Sequence, residues 1–146
     1  MNKFIRIFSC LALVSLLAAG CSVNRTTAVV DPSADLSTVK KMYVVKLDDD
    51  QSGVNTLIAN KLRALGYAVA VEPESRAGAD ALVTYRDEWV HDITAYMLEL
   101  DIVIRDVRSG FPLASGSSYH TSLSRRAPNE MVDEVIDNIF KKGQGK

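Results

Sequence analysis

The chain predicts an α+β fold: a two-layer sandwich with two helices on one face of a mainly antiparallel sheet of four to five strands, in the order β-α-β-β-β-β-α. Three observations lead there. Residues 54–65 and 131–140 each repeat apolar side chains at helical spacing. Tyr96, Leu98, Leu100, Ile102 and Ile104 alternate with Met97, Glu99, Asp101, Val103 and Arg105, which is the pattern of a strand with one face in a core and the other in water. The connections after the second strand are too short for crossovers and imply a meander.

Taken in order, Met42 to Leu47 is rich in β-formers and reads as the first strand. Asp48 to Gly53 is a loop whose Asp50 or Ser52 caps the helix that follows. In that helix Val54, Leu57, Ile58, Leu62 and Leu65 form the apolar stripe, and Gly66 stands where a C-terminal cap belongs. Tyr67 to Val71 is a second strand closed by Pro73, and Ala81 to Val90 a third. The alternating segment is the fourth strand, Asp106 to Gly110 a turn, and Leu113 to Ser122 the fifth strand. Pro128 opens the last helix at a position where its missing N–H costs nothing. Met131, Val132, Val135, Ile136, Ile139 and Phe140 are its apolar side. Glu130, Asp133 and Glu134 lie toward its start and Lys141 and Lys142 toward its end, as the helix dipole favours.

The first 20 residues belong to none of this. Lys3 and Arg6 precede an apolar run, Ile7 to Leu17, broken only by Ser9 and Ser15 and shorter than the roughly 20 residues of a membrane-spanning helix. Ala18, Ala19 and Gly20 then offer small side chains to a peptidase, and Cys21 follows with a thiol that can accept an acyl chain. The segment Leu17-Ala18-Ala19-Gly20-Cys21 closely resembles the lipobox of bacterial lipoproteins, with Ala18 where leucine is commonest. That resemblance implies cleavage before Cys21 and its acylation (diacylglycerol and a fatty acid such as palmitate), each buried CH₂ adding about 0.8 kcal/mol of anchoring. Ser22 after the cysteine, in place of aspartate, implies by likeness to enterobacterial lipoproteins an outer-membrane, periplasm-facing location. The expected organisation is a signal peptide over 1–20, a lipidated cysteine and tether over 21–37, one domain over 38–142 and a tail over 143–146.

The remaining composition excludes several classes. Of 146 residues 47% are hydrophobic and 24% charged, an ordinary globular balance. Losing Lys3 and Arg6 takes the 17 basic residues to 15 against 18 acidic ones, a net charge of about −3, which offers nucleic acid no basic patch. Cys10 leaves with the leader and Cys21 is acylated, so no disulfide, thiolate catalyst or cysteine-held metal is expected, and no cofactor.

The domain resembles small envelope lipoproteins of unknown function that begin with an Asp-Pro-Ser-Ala-Asp stretch. Here that stretch is Asp31-Pro32-Ser33-Ala34-Asp35, followed by the Met42–Val45 strand, Gly78-Ala79-Asp80-Ala81-Leu82-Val83-Thr84-Tyr85 and Asp106-Val107-Arg108-Ser109-Gly110. The tryptophan that often follows the last turn is replaced by Ala114 or Ser115. In architecture the pattern is also similar to auxiliary lipoproteins of envelope transport and assembly.

Chemistry-bearing residues are sparse. Asp48, Asp50, Ser52 and Gly53 imitate the start of a calcium loop, but Ala59 stands where a bidentate glutamate belongs, so a solvated loop is expected. His91 and His120 are the only histidines; serines surround His120, yet no Gly-x-Ser-x-Gly elbow is present, and surface or edge-strand positions are expected for both. Tyr85, Trp89 and Tyr96 bracket one hairpin and form a candidate partner-binding patch; the alternative is cross-strand pairing inside the fold. Arg125 and Arg126 could meet lipid phosphates or simply be solvated. The functional expectation is a non-catalytic, membrane-anchored interaction or accessory module with an unknown envelope protein as partner. The alternatives are a lipid-binding transport auxiliary, which requires an apolar groove between sheet and helices, and an envelope hydrolase using His120.

Overall fold

The computed structural model describes residues 23–145. The leader, the lipobox, Cys21 and Ser22 lie outside the described residues.

Strands β1 (Arg25–Val30), β2 (Lys41–Val44), β3 (Ala68–Val71), β4 (Ala81–His91), β5 (Ala95–Asp106) and β6 (Pro112–Tyr119) form one sheet in the order β1-β6-β5-β4-β2-β3. Helix α1 (Val54–Ala64) joins β2 to β3, and α2 (Pro128–Gln144) closes the chain. The α+β class and the two helices are as expected; the sheet differs in three respects.

It has six strands, because residues 25–30, expected within the tether, pair antiparallel with β6. Arg-Thr-Thr-Ala-Val-Val carries β-formers in an alternating register, but of its inward residues Thr26, Ala28 and Val30 only the last is strongly apolar, too little to mark a buried face. The sheet is also mixed, because β2 pairs in parallel with both β3 and β4. A helical crossover over α1 imposes the first pairing, and the chain then crosses from edge strand β3 to the far side of β2. Finally, β5 does not alternate throughout. Glu88 pairs with Glu99 but Trp89 pairs with Met97, so Leu98 is the extra residue of a β-bulge. The bulge turns Met97 into the core and Tyr96 and Leu98 away from it.

Both helices lie on one sheet face. Val44, Val83, Ile104, Ala114 and Val30 make one row across that face; Tyr85, Ile102, Gly116 and Ala28 make the next. Ile58 and Leu62 of α1 and Met131, Val135, Ile136 and Ile139 of α2 close over these rows, all 1% exposed or less. Lys61 of α1 bridges to Asp133 and Asp137 of α2 at 3.4 and 2.7 Å, holding the helices side by side.

Two local devices set the helix positions. The Asp50 carboxylate accepts the N–H groups of Val54 and Asn55 at 3.1 and 3.0 Å, capping α1 as one of the two expected residues. Gly53, at φ 69°, makes the left-handed turn that brings the carboxylate under the helix. The Tyr85 hydroxyl donates to the same carboxylate at 2.5 Å and accepts from Leu47 N–H at 3.3 Å, tying loop, helix and β4 together. On the other side, β6 presents Ala114, Gly116 and Ser118 to α2. A Cβ on Gly116 would lie 2.9 Å from Val135 Cγ1 and 3.0 Å from Ile139 Cγ1, so the helix sits where only glycine fits.

Two outcomes follow from these devices. Gly116→Ala is expected to lower stability by about 1–3 kcal/mol through overpacking, read as a lower urea midpoint. Asp50→Ala is expected to cost about 1–2 kcal/mol through loss of the cap, measured in the same way.

Candidate functional site

The expected aromatic patch is not assembled. Tyr85 is 6% exposed, with its ring in the core and its hydroxyl on Asp50. Trp89, opposite Met97, faces the core side and donates from Nε1 to Asp87 Oδ2 at 2.6 Å. Tyr96 precedes Met97 and so projects to the opposite face, where the Arg125 guanidinium stacks 4.0 Å from its ring. The three rings therefore share no one surface: Tyr85 and Trp89 lie on the core side, opposite Ile102 and Met97, and Tyr96 lies on the outer side.

The β4–β5 hairpin nevertheless makes a distinct feature. β2 follows β4 only as far as Val83, and β6 follows β5 only as far as Glu99, so residues 89–97 form a two-stranded arm beyond the sheet. Arg125 clamps its tip, reaching Asp92 Oδ2 at 2.9 Å and Thr94 Oγ1 at 2.7 Å. Asp92 accepts Thr94 N–H, and this bond and Arg125 hold its carboxyl below the ordinary aspartate value. His91 is exposed, as expected, and lines a cleft of about 400 Å³ between the arm and the 49–52 loop.

His120 departs from expectation. It is 3% exposed rather than at the surface, and Nε2 lies 2.8 Å from Glu134 Oε2. Ser118 Oγ donates to the same oxygen at 2.7 Å, and Thr26 Oγ1 to Glu134 Oε1 at 2.9 Å. The geometry follows from register. Thr26 and Ser118 are directly paired across β1 and β6, His120 lies two residues further on the same face, and α2 lowers Glu134 between them. Partial burial opposes ionisation of Glu134, but donation from His120, Ser118 and Thr26 outweighs it and holds the carboxyl below its ordinary value. A carboxylate only accepts, which places the ring hydrogen on Nε2. Nδ1 is buried without a hydrogen-bond partner among the described residues.

This cluster is wired unlike an acyl-transfer triad. A triad runs in series, serine to imidazole to carboxylate. Here three donors converge in parallel on one carboxylate, and the Ser118 hydroxyl is spent on Glu134. What the arrangement does chemically is join β1, β6 and α2. Glu134 was not singled out from the sequence; the available signal is the period-two run Ala114, Gly116, Ser118, His120, whose small residues leave room for a helix and whose polar ones require an acceptor.

The motifs that carry the lipoprotein resemblance gather at the opposite end of the sheet and are turn anchors. Asp31 Oδ1 accepts Ser33 N–H, Asp35 Oδ1 accepts Ser37 N–H, Asp80 Oδ2 accepts the N–H groups of Lys40 and Lys41, and Asp106 Oδ1 accepts those of Arg108 and Ser109, all at 2.8–3.1 Å. The Ser37 hydroxyl and N–H hold the Asp35 carboxyl below the ordinary aspartate value, the N–H groups of Lys41 and Lys40 do the same for Asp80, and the Ser109 N–H and hydroxyl for Asp106. Ser33, Asp35, Asp80, Asp106 and Arg108 also line a cleft of about 310 Å³. In the calcium-like loop Asp50 is committed to α1 and Tyr85. Among the described residues no group of three or more histidine, aspartate or glutamate side chains could hold a metal ion, and no helix is long and apolar enough to cross a membrane.

No protein-family model and no curated protein matches the chain. Solved structures do. The PelC dodecamer from Paraburkholderia phytofirmans has a similar protomer: one crystal structure is 19% identical with a TM-score of 0.58, covering 84% of this chain and 98% of that one. A second crystal form of it gives 16%, 0.57, 80% and 98%. A PDZ domain protein from Parabacteroides distasonis is 11% identical with a TM-score of 0.50 over 82% of this chain and 36% of its own. At these identities the likeness is one of fold.

The Glu134 cluster sets an acid limit. Its folded-state pKa is lowered, so the stabilisation is complete above the ordinary value of 4.5 and is lost as pH falls through the folded value. Wild-type stability is expected to drop below that pH, Asp50 contributing in the same direction, and Glu134→Gln is expected to drop less. Urea unfolding at a series of pH values between neutrality and acid compares the two slopes.

Proposed function

We propose that the chain is a lipoprotein of the bacterial envelope, acylated on Cys21, directed by Ser22 to the periplasmic face of the outer membrane, and that its domain is a non-catalytic interaction module. The observation that carries the module reading is the outer face of the sheet. Among the described residues no helix covers it, and Thr84, Val103, Ser115 and Val29 run across it as one row, with Tyr43 and Leu82 paired beside them. Their side chains are half-buried apart from Val29, which is exposed. A half-buried band of valine, leucine and tyrosine interleaved with Thr84 and Ser115, flanked by the ion pair of Arg86 and Asp101, is suited to burial against a protein surface.

The likeness to PelC supports the same reading, since that protomer, matched over nearly its whole length, assembles as a dodecamer. Other copies of this chain are therefore the first partner to test, and another envelope protein the second. The lipid-carrier alternative needs a groove between sheet and helices. That space is filled by Met42, Ile58, Leu62, Ile102, Ile136 and Ile139, and by the Gly116 contact with α2. The hydrolase alternative needs a serine that donates to His120, and Ser118 donates to Glu134 instead.

Intact mass of the mature protein is expected to show cleavage before Cys21 and an acyl mass on it. Chemical cross-linking in native membranes is expected to trap a defined assembly that Leu82→Asp with Val103→Asp abolishes without loss of the folded domain. Cross-linked species unchanged by that double substitution would remove the outer face as the interface.

A further inference from the structure

The strand that follows Cys21 begins at one end of the molecule, and that end has a particular surface. Arg25, the first residue of β1, pairs with Tyr119, which pairs with Glu99, which pairs with Glu88, so β1 starts level with the base of the β4–β5 arm. Just before it, Asn24 Oδ1 accepts a hydrogen bond from Ser124 Oγ. Ser124 ends a single 3-10 turn, Ser122–Ser124, and Arg125 next to it clamps the arm tip through Asp92 and Thr94. The chain entrance, the 122–125 turn and the tip are thus bonded into one unit.

That unit carries the two most exposed large apolar side chains among those described. Ile93, at the tip of the arm, is 98% exposed, and Leu123, on the turn, is 86% exposed; Val23 at the chain entrance adds a third at 56%. Arg25, Arg125 and Arg126 stand among them, all exposed. Exposed leucine or isoleucine is unremarkable when scattered. Here both are held out on rigid, hydrogen-bonded turns at one end, interleaved with cations, on a domain whose mature net charge is negative.

Chain geometry says what covers them. Two residues span at most about 7 Å when fully extended, so Cys21 lies within that distance of Val23. An acyl group on Cys21 therefore brings this end, and no other, against the membrane. We infer that the domain docks end-on onto the leaflet that holds its anchor, with Ile93 and Leu123 entering the boundary between headgroups and acyl chains and Arg25 and Arg126 meeting lipid phosphates, while Arg125 braces the arm tip through Asp92 and Thr94. The arrangement follows that of interfacial anchors, in which apolar side chains enter below the headgroups and arginines snorkel to them. It leaves the sheet's outer face perpendicular to the bilayer and free for a partner. The inference rests on acylation of Cys21, as proposed above, but not on the identity of the module's partner.

The test uses the full-length lipidated protein reconstituted into vesicles of phosphatidylethanolamine and phosphatidylglycerol. With Cys21 acylated, the single substitutions Ile93→Cys, Leu123→Cys and Lys141→Cys each give one free thiol for an environment-sensitive fluorophore; Lys141 is exposed at the far end of α2. Labels at 93 and 123 are expected to shift to the blue and to be quenched several-fold more than the label at 141 by lipids carrying a bilayer-buried quencher. Equal quenching at all three positions, in protein whose mass shows the acyl group, overturns end-on docking while the anchor stands. A blue shift at 93 without lipid quenching overturns it in favour of a protein covering the tip. An acyl-free mass overturns the anchor and the docking together.

Discussion

The close approach of α2 to β6 is the constraint on which the other features depend. A helix packs about 10 Å from a sheet when ordinary side chains separate them. Here Ala114, Gly116 and Ser118 let the helix come close, and Val135 Cγ1 and Ile139 Cγ1 lie 2.9 and 3.0 Å from where a Gly116 Cβ would stand. Only at this distance can Glu134 reach past the apolar layer to Ser118 and His120, and only then can it collect Thr26 from the edge strand beyond. Lys142 repeats the device one end lower, donating to the Ala28 carbonyl at 2.8 Å. β1 has few apolar side chains of its own to bury. Its attachment depends on its ladder with β6 and on these reaches from α2.

That attachment bears on anchoring. A lipid on a flexible tether would leave the orientation of a domain open. Here β1 is hydrogen-bonded along its length to β6 and begins at Arg25, only four positions after Cys21 in the sequence. The molecule then has two unlike ends. At one, the chain entrance, the arm and the 122–125 turn present Ile93 and Leu123 with arginines. At the other, Asp31, Asp35, Asp80 and Asp106 fold their carboxylates onto local backbone N–H groups. The motifs by which the chain resembles small envelope lipoproteins are thus mostly instructions for turns, which explains how they can mark a fold without marking an activity.

What was legible in the sequence follows the same division. Both helices were, because each has an apolar stripe long enough to show the 3.6-residue period and punctuation at its ends. The Asp50 cap was legible from its place before the stripe. The β1 strand was not, since two of its three inward residues, Thr26 and Ala28, serve hydrogen bonding and close packing, neither of which has a hydropathy signal. The bulge at Leu98 was hidden by a stretch in which Tyr96, Met97, Leu98 and Leu100 are all apolar, so that either phase of the strand looks acceptable. The mixed topology was illegible because the parallel pairing of β4 with β2 depends on which edge the chain returns to, and the nine residues between β3 and β4 state nothing about that.

His120 shows how a buried titratable group can look functional and serve as a fastener. A histidine beside serines, with a carboxylate in reach, satisfies the composition of a hydrolytic site. The decisive matter is the direction of the hydrogen bonds. Catalysis needs the imidazole to accept from a nucleophile, leaving that nucleophile open to substrate. In this domain the imidazole donates through Nε2, the Ser118 hydroxyl donates to the same acceptor, and both side chains are sealed between sheet and helix. Charge, hydroxyl and ring are all consumed in holding β1 and β6 against α2. The same carboxylate that excludes a triad here thereby gives the edge strand β1 a stake in the core.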